Sequence, residues 1–392
     1  MPWKTVCTMD EKIRFIGEYL NGLFCFSELC GRYGISRKTG YKWVDRYVEE
    51  GVDGLKDRSR KPKRHPRMIP EEIIKEILQV RKRHPLWGAK KILKIMDRKN
   101  RGWDLPSRTA VYDILNRHGC IEKKRRKPRR SHPGKPTTIA NCPNSLWTAD
   151  FKGQFKTRDG VYCYPLTIAD SYSRYLLDCR GLLGTTLKDT KKTFKRMFNR
   201  YGLPERIRTD NGIPFASNAL GRLSQLSIWW IRLGVFPELI EPASPQQNGR
   251  HERMHRTLKA ETTRPPEYTL QKQQQRFNVF RKEFNEIRPH EALNQETPAS
   301  HYTGSSRKMP RKLPQIEYPG HYEIRRVSNN SGIRWHHIRI PVSQILAGEY
   351  VGLEEIDDGL WDVYFGPIWL GRLDERLNRI VDEKGRYFRR KV

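Results

Sequence analysis

The sequence predicts a multidomain fold, with all-α helix-turn-helix domains at the N-terminus, an α/β core and a small β-barrel at the C-terminus. Apolar residues in the first third of the chain recur at helical spacing, whereas from residue 145 they form β-rich runs that alternate with helices. Residues 319–392 contain five short β-like runs separated by turn sequences. A chain of 392 residues has room for roughly two to four domains that each bury a core.

The first predicted domain, residues 1–55, contains a helix, a glycine turn and a second helix. We expect the first helix over residues 27–33, the turn at Gly34 and a second helix capped by Ser36, with Val44, Tyr47 and Val48 at core spacing. The first turn of the second helix is polar and basic, which is typical of helix-turn-helix geometry. The predicted DNA contacts of this domain are Arg37, Lys38, Thr39 and Lys42.

The second predicted domain, residues 68–120, repeats this arrangement as a helix-turn-helix or winged-helix-like unit. Apolar spacing predicts helices over residues 73–80 and 87–96, and a third that is capped by Ser107 and terminated by Gly119. Val111, Ile114 and Leu115 are expected to face the core. Arg108 and Thr109 then lie where a recognition helix meets base edges, so we predict that both contact DNA.

Basic, proline-containing runs separate the predicted domains. Residues 56–67 and 121–140 are too charged to pack and are predicted to be linkers, and a weaker boundary lies at residues 304–318. The second linker adds a basic run that can follow a phosphate backbone. Its predicted DNA contacts are Lys123, Lys124, Arg125 and Arg126.

The net charge indicates a polyanionic partner. The chain has 76 Lys and Arg against 44 Asp and Glu, a net charge of +32, which repels itself in a compact protein. A ribosomal or membrane-surface protein is the alternative explanation. No apolar run approaches the roughly 18 residues of a membrane span, and the seven scattered cysteines contain no C-x-x-C pair. We therefore expect no membrane partner, reduced thiols and a location in the bacterial cytoplasm, at the nucleoid.

Residues 141–303 are predicted to form the α/β core. Strand-like runs at residues 145–155, 161–170 and 175–182 precede a helix at 187–201, a strand that ends at Asp210, a helix, a strand at 238–242 and a last helix. This order predicts a mixed sheet and not an all-parallel one. Asp150, Asp210 and Glu252 lie on three of these elements, and such carboxylates are suitable ligands for Mg²⁺ or Mn²⁺. Two ions roughly 3.5–4 Å apart would bind the attacking and leaving oxygens of a phosphoryl transfer.

The motifs around these carboxylates resemble a known family. LWTADF at 146–151, IRTDNG at 207–212 and ASPQQNGRHERMHRTLK at 243–259 together resemble the catalytic core of insertion-sequence transposases of the retroviral-integrase superfamily. The resemblance implies a ribonuclease-H-like fold and a catalytic Asp-Asp-Glu metal triad of Asp150, Asp210 and Glu252. It also implies that the helix face of Glu252 meets the DNA of the element end through His255, Arg256 and Lys259. The long gap between Asp210 and Glu252 resembles that of some bacterial subfamilies.

The activity implied by the resemblance is that of a DNA transposase. It would bind the inverted-repeat ends of its element, cleave the 3′ ends and join them to target DNA, using two Mg²⁺ ions in each active site. The implied partners are double-stranded DNA, as element ends and as target, and further copies of the chain, at least a dimer on paired ends. A sequence-specific DNA-binding regulator with an inactive core is the alternative from another class.

Two other interpretations of the core remain open at this stage. His251, Glu252 and His255 match the H-E-x-x-H motif of a zinc metallopeptidase, but three arginines surround them and no third ligand is evident. If the motif is accidental, the two histidines are expected to face solvent or phosphate. Other carboxylates also compete for the metal site. The resemblance implies that Asp170 lies in a turn, although it could be near the site, and the others are expected to be surface or structural residues: Asp178, Glu205, Glu241 and Glu261.

Overall fold

The computed structural model describes residues 7–59, 68–122, 138–217, 219–241, 247 and 249–382. The chain divides into two compact units, Met1–Pro70 and Glu71–Val392. The first unit contains three helices: α1 (Thr8–Leu20), α2 (Phe26–Arg32) and α3 (Arg37–Glu50). They enclose a small core built around Phe15, Leu29 and Val44.

The helix-turn-helix predicted in the first unit is present. Gly34 adopts a positive φ of 62° between α2 and α3, a conformation that glycine adopts without strain. The Ser36 hydroxyl accepts a hydrogen bond from the Thr39 backbone N–H and so caps α3. The prediction that Val48 faces the core is wrong, because its side chain is 77% exposed while Val44 occupies the core.

The second unit begins with another group of three helices: α4 (Glu71–Arg83), α5 (Ala89–Lys99) and α6 (Arg108–Arg117). The Ser107 hydroxyl caps α6 by accepting from the Ala110 N–H, and Gly119 ends the helical segment with a φ of 66°. Val111, Ile114 and Leu115 are buried as expected. The helical character of both N-terminal segments is therefore confirmed.

A six-stranded mixed sheet forms the centre of the second unit. Its strands are β1 (Leu146–Phe151), β2 (Phe155–Lys156), β3 (Tyr162–Asp170), β4 (Leu176–Leu182), β5 (Arg206–Thr209) and β6 (Phe236–Leu239). β3 pairs antiparallel with β1, β2 and β4. The β1–β5 and β5–β6 pairs are parallel. The sheet is thus mixed, as the order of strands and helices predicted.

Helices pack against both faces of this sheet through different groups of buried residues. The helices are α7 (Leu187–Tyr201), α8 (Gln225–Arg232), α9 (Gly249–Thr262) and α10 (Leu270–Lys282). α7 and α8 bury aromatic residues such as Phe198 and Trp230 with Trp147 of β1. α9 and α10 bury Met254, Leu258 and Phe277 in a separate cluster.

The C-terminal segment is β-rich, but a closed barrel is not confirmed. Its strands are β7 (Glu323–Arg326), β8 (Gly332–Trp335), β9 (Ile338–Pro341), β10 (Tyr350–Asp357), β11 (Leu360–Phe365), β12 (Ile368–Asp374) and β13 (Arg379–Val381). Within the described ranges, five of them form an open sheet in the order β13-β12-β11-β10-β7, and β8 and β9 form a separate hairpin. Residues 335–340 form one of the five β-like runs of the sequence, and its interpretation as a single strand is wrong, because the chain reverses at His336, whose φ is 48°.

The C-terminal sheet shares a core with the segment between β5 and α9. Leu220, Leu223, Ile228 and Ile231 of that segment are buried together with residues such as Phe365 of the C-terminal sheet. An ion pair between Arg232 and Glu349 lies beside this cluster, with 3.3 Å between the nitrogen and the oxygen. The residues between Asp210 and Glu252 therefore form the surface on which the C-terminal sheet packs.

Two further expectations can be compared with the described residues. All seven cysteines lie within them and are free thiols, as their scattered spacing predicted. No helix in the described ranges is both long and apolar enough to cross a lipid bilayer.

Candidate active site

Asp150 and Asp210 lie next to each other at one edge of the sheet. Asp150 is near the end of β1, and Asp210 directly follows β5. The two strands are parallel neighbours in which Ala149 is opposite Thr209. Continuing this register by one residue places Asp150 opposite Asp210, so the two carboxylates lie side by side.

Helix α9 brings Glu252 to the same edge. Its buried residues recur at positions 251, 254, 255, 258 and 262, the spacing of one helix face. Glu252, Arg256 and Lys259 lie on the exposed side of the helix. The sheet therefore fixes α9 through one face and leaves the other accessible from solvent.

Two buried histidines attach α9 to the strand that contains Asp150. His251 and His255 are only 2% and 3% exposed. His251 Nδ1 lies 2.8 Å from the Thr148 hydroxyl, and its Nε2 lies 2.6 Å from the hydroxyl of Thr167. His255 Nε2 lies 2.6 Å from the same Thr167 hydroxyl. The same hydroxyl lies 3.1 Å from the Asp150 carbonyl oxygen, so Thr167 connects both histidines with β1.

The position of the histidines corrects two predictions. The expectation that His251 and His255 face solvent or phosphate is wrong, because both side chains are buried against the sheet. His255 was also predicted to contact DNA, and from this buried position its side chain does not reach the surface. The physical reason is the spacing within α9, since residues 251, 255 and 258 follow the buried stripe while Arg256 and Lys259 follow the exposed one.

The zinc peptidase interpretation is disfavoured by the same contacts. Both ring nitrogens of His251 lie within hydrogen-bond distance of threonine hydroxyls, so this residue offers no free nitrogen lone pair to a metal. Burial lowers the pKa of His251 to about 3. Burial, together with His251 and Lys152, lowers the pKa of His255 as well. Both imidazoles are therefore neutral hydrogen-bonding groups of the core.

Asp150 lies within the electrostatic influence of both other candidate carboxylates. Burial and the charges of Asp210 and Glu252, against the lowering effect of Lys152, raise the pKa of Asp150 to about 7. Burial raises the pKa of Asp210, which a hydrogen bond from the Gly212 N–H partly offsets. This is the pattern expected where like charges converge in a partly buried site.

The donor set suits a hard divalent cation, but the carboxylates are not gathered around one point. Within the part of the chain that the structure describes, no group of three His, Cys, Asp or Glu side chains is close enough to hold a metal ion. Mutual repulsion opposes the approach of three carboxylates in a site of low dielectric constant. Asp150, Asp210 and Glu252 thus have the right chemistry and a common location, and they would have to move closer to share a cation.

The competing carboxylates have structural partners or lie on the surface. Asp170 is buried and accepts hydrogen bonds from the Asn144 N–H and from the N–H and hydroxyl of Ser173. Asp178 pairs with Arg196, and Glu261 pairs with Arg288. Glu205 and Glu241 are exposed. These placements leave Asp150, Asp210 and Glu252 as the candidate set.

Most of the other predicted DNA contacts in the described helices have exposed side chains. Arg37, Lys38 and Lys42 are exposed on α3, and Thr39 is half-buried. Arg108 and Thr109 are exposed at the start of α6. The predicted contacts at Lys123, Lys124, Arg125 and Arg126 lie outside the described residues.

Sequence reasoning missed Thr148 and Thr167, which hold the two histidines. Both threonines are buried, on β1 and β3. A polar residue in a strand otherwise filled by Leu, Ile and Ala was the available signal. This signal did not identify a hydrogen-bond partner, because His251 lies 103 residues after Thr148 and 84 residues after Thr167.

Family models match both the core and the helical segments. An integrase core domain model matches residues 140–245, and a second integrase core domain model matches residues 233–298. Residues 140–298 therefore match the integrase core domain family. A helix-turn-helix domain model matches residues 11–63, and a homeodomain-like domain model matches residues 39–115, ahead of the integrase core.

Curated relatives of the integrase core come from insertion elements and retroviruses. The chain is 26% identical over 192 residues to the uncharacterized 31.7 kDa protein of insertion element IS407 from Burkholderia multivorans, covering 48% of this chain and 66% of the relative. It is 27% identical over 198 residues to the uncharacterized 39.2 kDa protein of insertion element IS476 from Xanthomonas euvesicatoria, covering 48% of this chain and 53% of the relative. These matches confirm the resemblance to insertion-sequence transposases of the integrase superfamily.

The match to solved structures is more distant. The HTLV-2 integrase catalytic core domain in complex with magnesium aligns at 17% identity with a TM-score of 0.34, covering 42% of this chain and 99% of that one.

Proposed function

We propose that this chain is a DNA transposase that binds the inverted-repeat ends of its element, cleaves their 3′ ends and joins them to target DNA. The observation that supports this most directly is the convergence of Asp150, Asp210 and Glu252 at one edge of the integrase core. Catalysis of this kind depends on oxygen ligands that hold divalent cations beside the reacting phosphate. The proposed assembly is at least a dimer on paired ends.

In this proposal the three carboxylates hold two Mg²⁺ ions, with Mn²⁺ as a substitute. When bound, the ions would polarise the phosphate and favour ionisation of the attacking hydroxyl. Asp150 and Asp210 are placed by adjacent strands, and Glu252 is placed by the buried face of α9. The exposed Arg256 and Lys259 extend from the same helix and would contact phosphates of the element end.

A strand-transfer assay tests the proposal. The full chain is incubated with Mg²⁺ and labelled duplex taken from the ends of its own element, and joining to a plasmid is measured. We expect Asp210→Asn and Glu252→Gln to abolish joining, because each removes a charged ligand. Glu205→Gln, which neutralises an exposed carboxylate of the same core, is the matched control and should join normally.

Two outcomes would contradict the proposal. Joining that is unchanged in Asp210→Asn would exclude the metal mechanism. A wild-type protein that binds the ends and never cuts them would support the DNA-binding regulator instead. A second measurement does not depend on turnover: Mg²⁺ should raise the unfolding temperature of the wild type and of Glu205→Gln, and not that of Asp210→Asn.

A further inference from the structure

A basic cleft lies between the second helical segment and the integrase core. Its volume is about 600 Å³. Its walls come from the start of α5, from the start of α6 and from the segment that follows α10. Its lining includes the side chains of Lys90, Lys91, Arg108, Tyr112, Glu291 and Gln295. Three of these six are cationic and one is anionic.

Contacts on both sides of the Lys90–Glu291 ion pair join the helices to the core. Lys90 pairs with Glu291, and Arg98 donates a 3.0 Å hydrogen bond to the Gln295 carbonyl. On the adjoining side His84 Nδ1 lies 2.9 Å from Glu283, and the His84 ring stacks on Trp87 with 3.8 Å between their centres. Trp87 itself is fully buried, so this side of the cleft rests on the core of the helical segment.

The Glu291 carboxylate marks a position that favours an anion. Its side chain is exposed, yet the hydrogen bond and the charge of Lys90, together with the charges of Arg253 and Arg108, hold its pKa below the usual range. These cations come from three separate elements, namely α5, α9 and α6. A phosphate oxygen would meet the same surroundings as this carboxylate oxygen.

Further cations extend the cleft to the helix of Glu252. Burial and the charges of Arg288 and Arg253 lower the pKa of Lys91 to about 8. Burial and the charges of Arg250 and Arg253 lower the pKa of Arg174 to about 10. Within the described residues, none of Lys91, Arg174, Arg250 and Arg253 has a carboxylate within ion-pair distance. The positive charge therefore runs from α6 to the first turns of α9.

We propose that this cleft binds the phosphate backbone of double-stranded DNA, and that the Glu291 carboxylate occupies the phosphate position until DNA displaces it. The inference rests on the proposed function, because the cleft leads to the candidate active site. A duplex fits the chemistry better than an acidic protein segment does, because the positive charge continues over several elements and ends beside the exposed Arg256 and Lys259 of α9. The exposed Tyr112 adds an aromatic side chain that can pack against a sugar.

Lysine footprinting of the full-length wild type gives the first test. The protein is acetylated with and without a mixed-sequence duplex of about 30 base pairs, in EDTA so that no chemistry occurs, and the modified sites are mapped by mass spectrometry. DNA should protect Lys90 and Lys91 at least about 3-fold. Lys192 and Lys195 on α7, which are exposed like Lys90, provide the internal control. Equal modification of Lys90 and Lys91 in the presence and absence of DNA would overturn the proposal.

Two variants give the second test, through the salt dependence of duplex binding. Lys90→Gln combined with Lys91→Gln should reduce the slope of log affinity against log salt by about 2, since each lost phosphate contact removes about 0.9. Lys192→Gln combined with Lys195→Gln removes the same charge and should retain the wild-type slope. Glu291→Gln should raise affinity about 2- to 5-fold, because a competing ion pair is removed from the free protein. A slope for the Lys90 and Lys91 variant equal to that of the control, or no gain from Glu291→Gln, would refute the site.

These outcomes are independent of the strand-transfer assay. Protection of Lys90 and Lys91 in a protein that joins no DNA would support the cleft while contradicting the proposed chemistry. Joining activity without protection of Lys90 and Lys91 would support the proposed chemistry and contradict the proposed role of the cleft.

Discussion

Replacing Thr167 by valine should weaken the attachment of α9 to the sheet. The substitution keeps the shape of the side chain and removes one hydroxyl, which lies 2.6 Å from the Nε2 of both His251 and His255. Two buried ring nitrogens would then lose a hydrogen-bond partner, and each such loss costs about 1–3 kcal/mol. We therefore expect the free energy of unfolding to fall by about 2–6 kcal/mol.

Thr190→Val is the matched control for this variant. Thr190 is equally buried on α7, but its hydroxyl donates only to the Thr186 carbonyl, which also accepts from the Thr190 N–H. The loss of this bond leaves no buried group without a partner, so its cost should stay below about 1 kcal/mol.

Urea unfolding, followed by the fluorescence of the buried tryptophans, measures the difference between the two variants. Amide hydrogen exchange supplies a local readout, since the N–H groups of α9 should exchange faster in Thr167→Val than in Thr190→Val. Equal destabilisation by the two variants, with unchanged exchange in α9, would refute the role assigned to the Thr167 hydroxyl.

Three further predictions concern charge and backbone conformation. Burial and neighbouring carboxylates raise the folded-state pKa of Asp150 from 3.8 to about 7. The metal-free protein should therefore lose at most about 4 kcal/mol of stability as pH rises from 4 to 7, and Asp150→Asn should not show this loss. Parallel profiles of stability against pH for the two proteins would contradict this. Arg208→Met leaves the carboxylate of Glu238 buried without its ion pair and should cost about 3–5 kcal/mol in urea unfolding, so a cost under about 1 kcal/mol would show that the pair is dispensable. Gly202→Ala places a methyl group 2.6 Å from the Ser305 carbonyl oxygen at a φ of +80° and should cost about 2–3 kcal/mol, to be checked by thermal unfolding against the wild type.

Local signals in the sequence were sufficient for the helix caps and the strand ends. Ser36 and Ser107 were identifiable because a hydroxyl directly before an amphipathic run satisfies the free N–H groups of the first turn. The proximity of Asp150 and Asp210 followed from their motifs, and the parallel pairing of β1 with β5 explains it.

The buried face of α9 could not be predicted from local pattern. Polar His251 and His255 occupy core positions of the helix, so its apolar stripe is incomplete, and their i and i+4 spacing also matches a metal site. Only the threonines of β1 and β3 show why burial is possible, because they supply hydrogen-bond partners from distant parts of the chain.

The turn at His336 was missed for a different reason. Tight hairpin turns usually contain Gly or Asn at positions of positive φ, and this one uses a histidine with a φ of 48°. The run from Trp335 to Ile340 consists of residues that are common in strands, so the sequence contains no signal that separates one strand from two.

The shared core between the β5–α9 segment and the C-terminal sheet limits how this protein can be shortened or recombined. A truncation before β7 would leave Leu220, Leu223, Ile228 and Ile231 facing water, an apolar patch that favours aggregation. Hybrids that exchange the C-terminal sheet between relatives would need to exchange the β5–α9 segment as well. The two regions are far apart in the gene, yet substitutions in one are constrained by the other, so they should be inherited as a single unit.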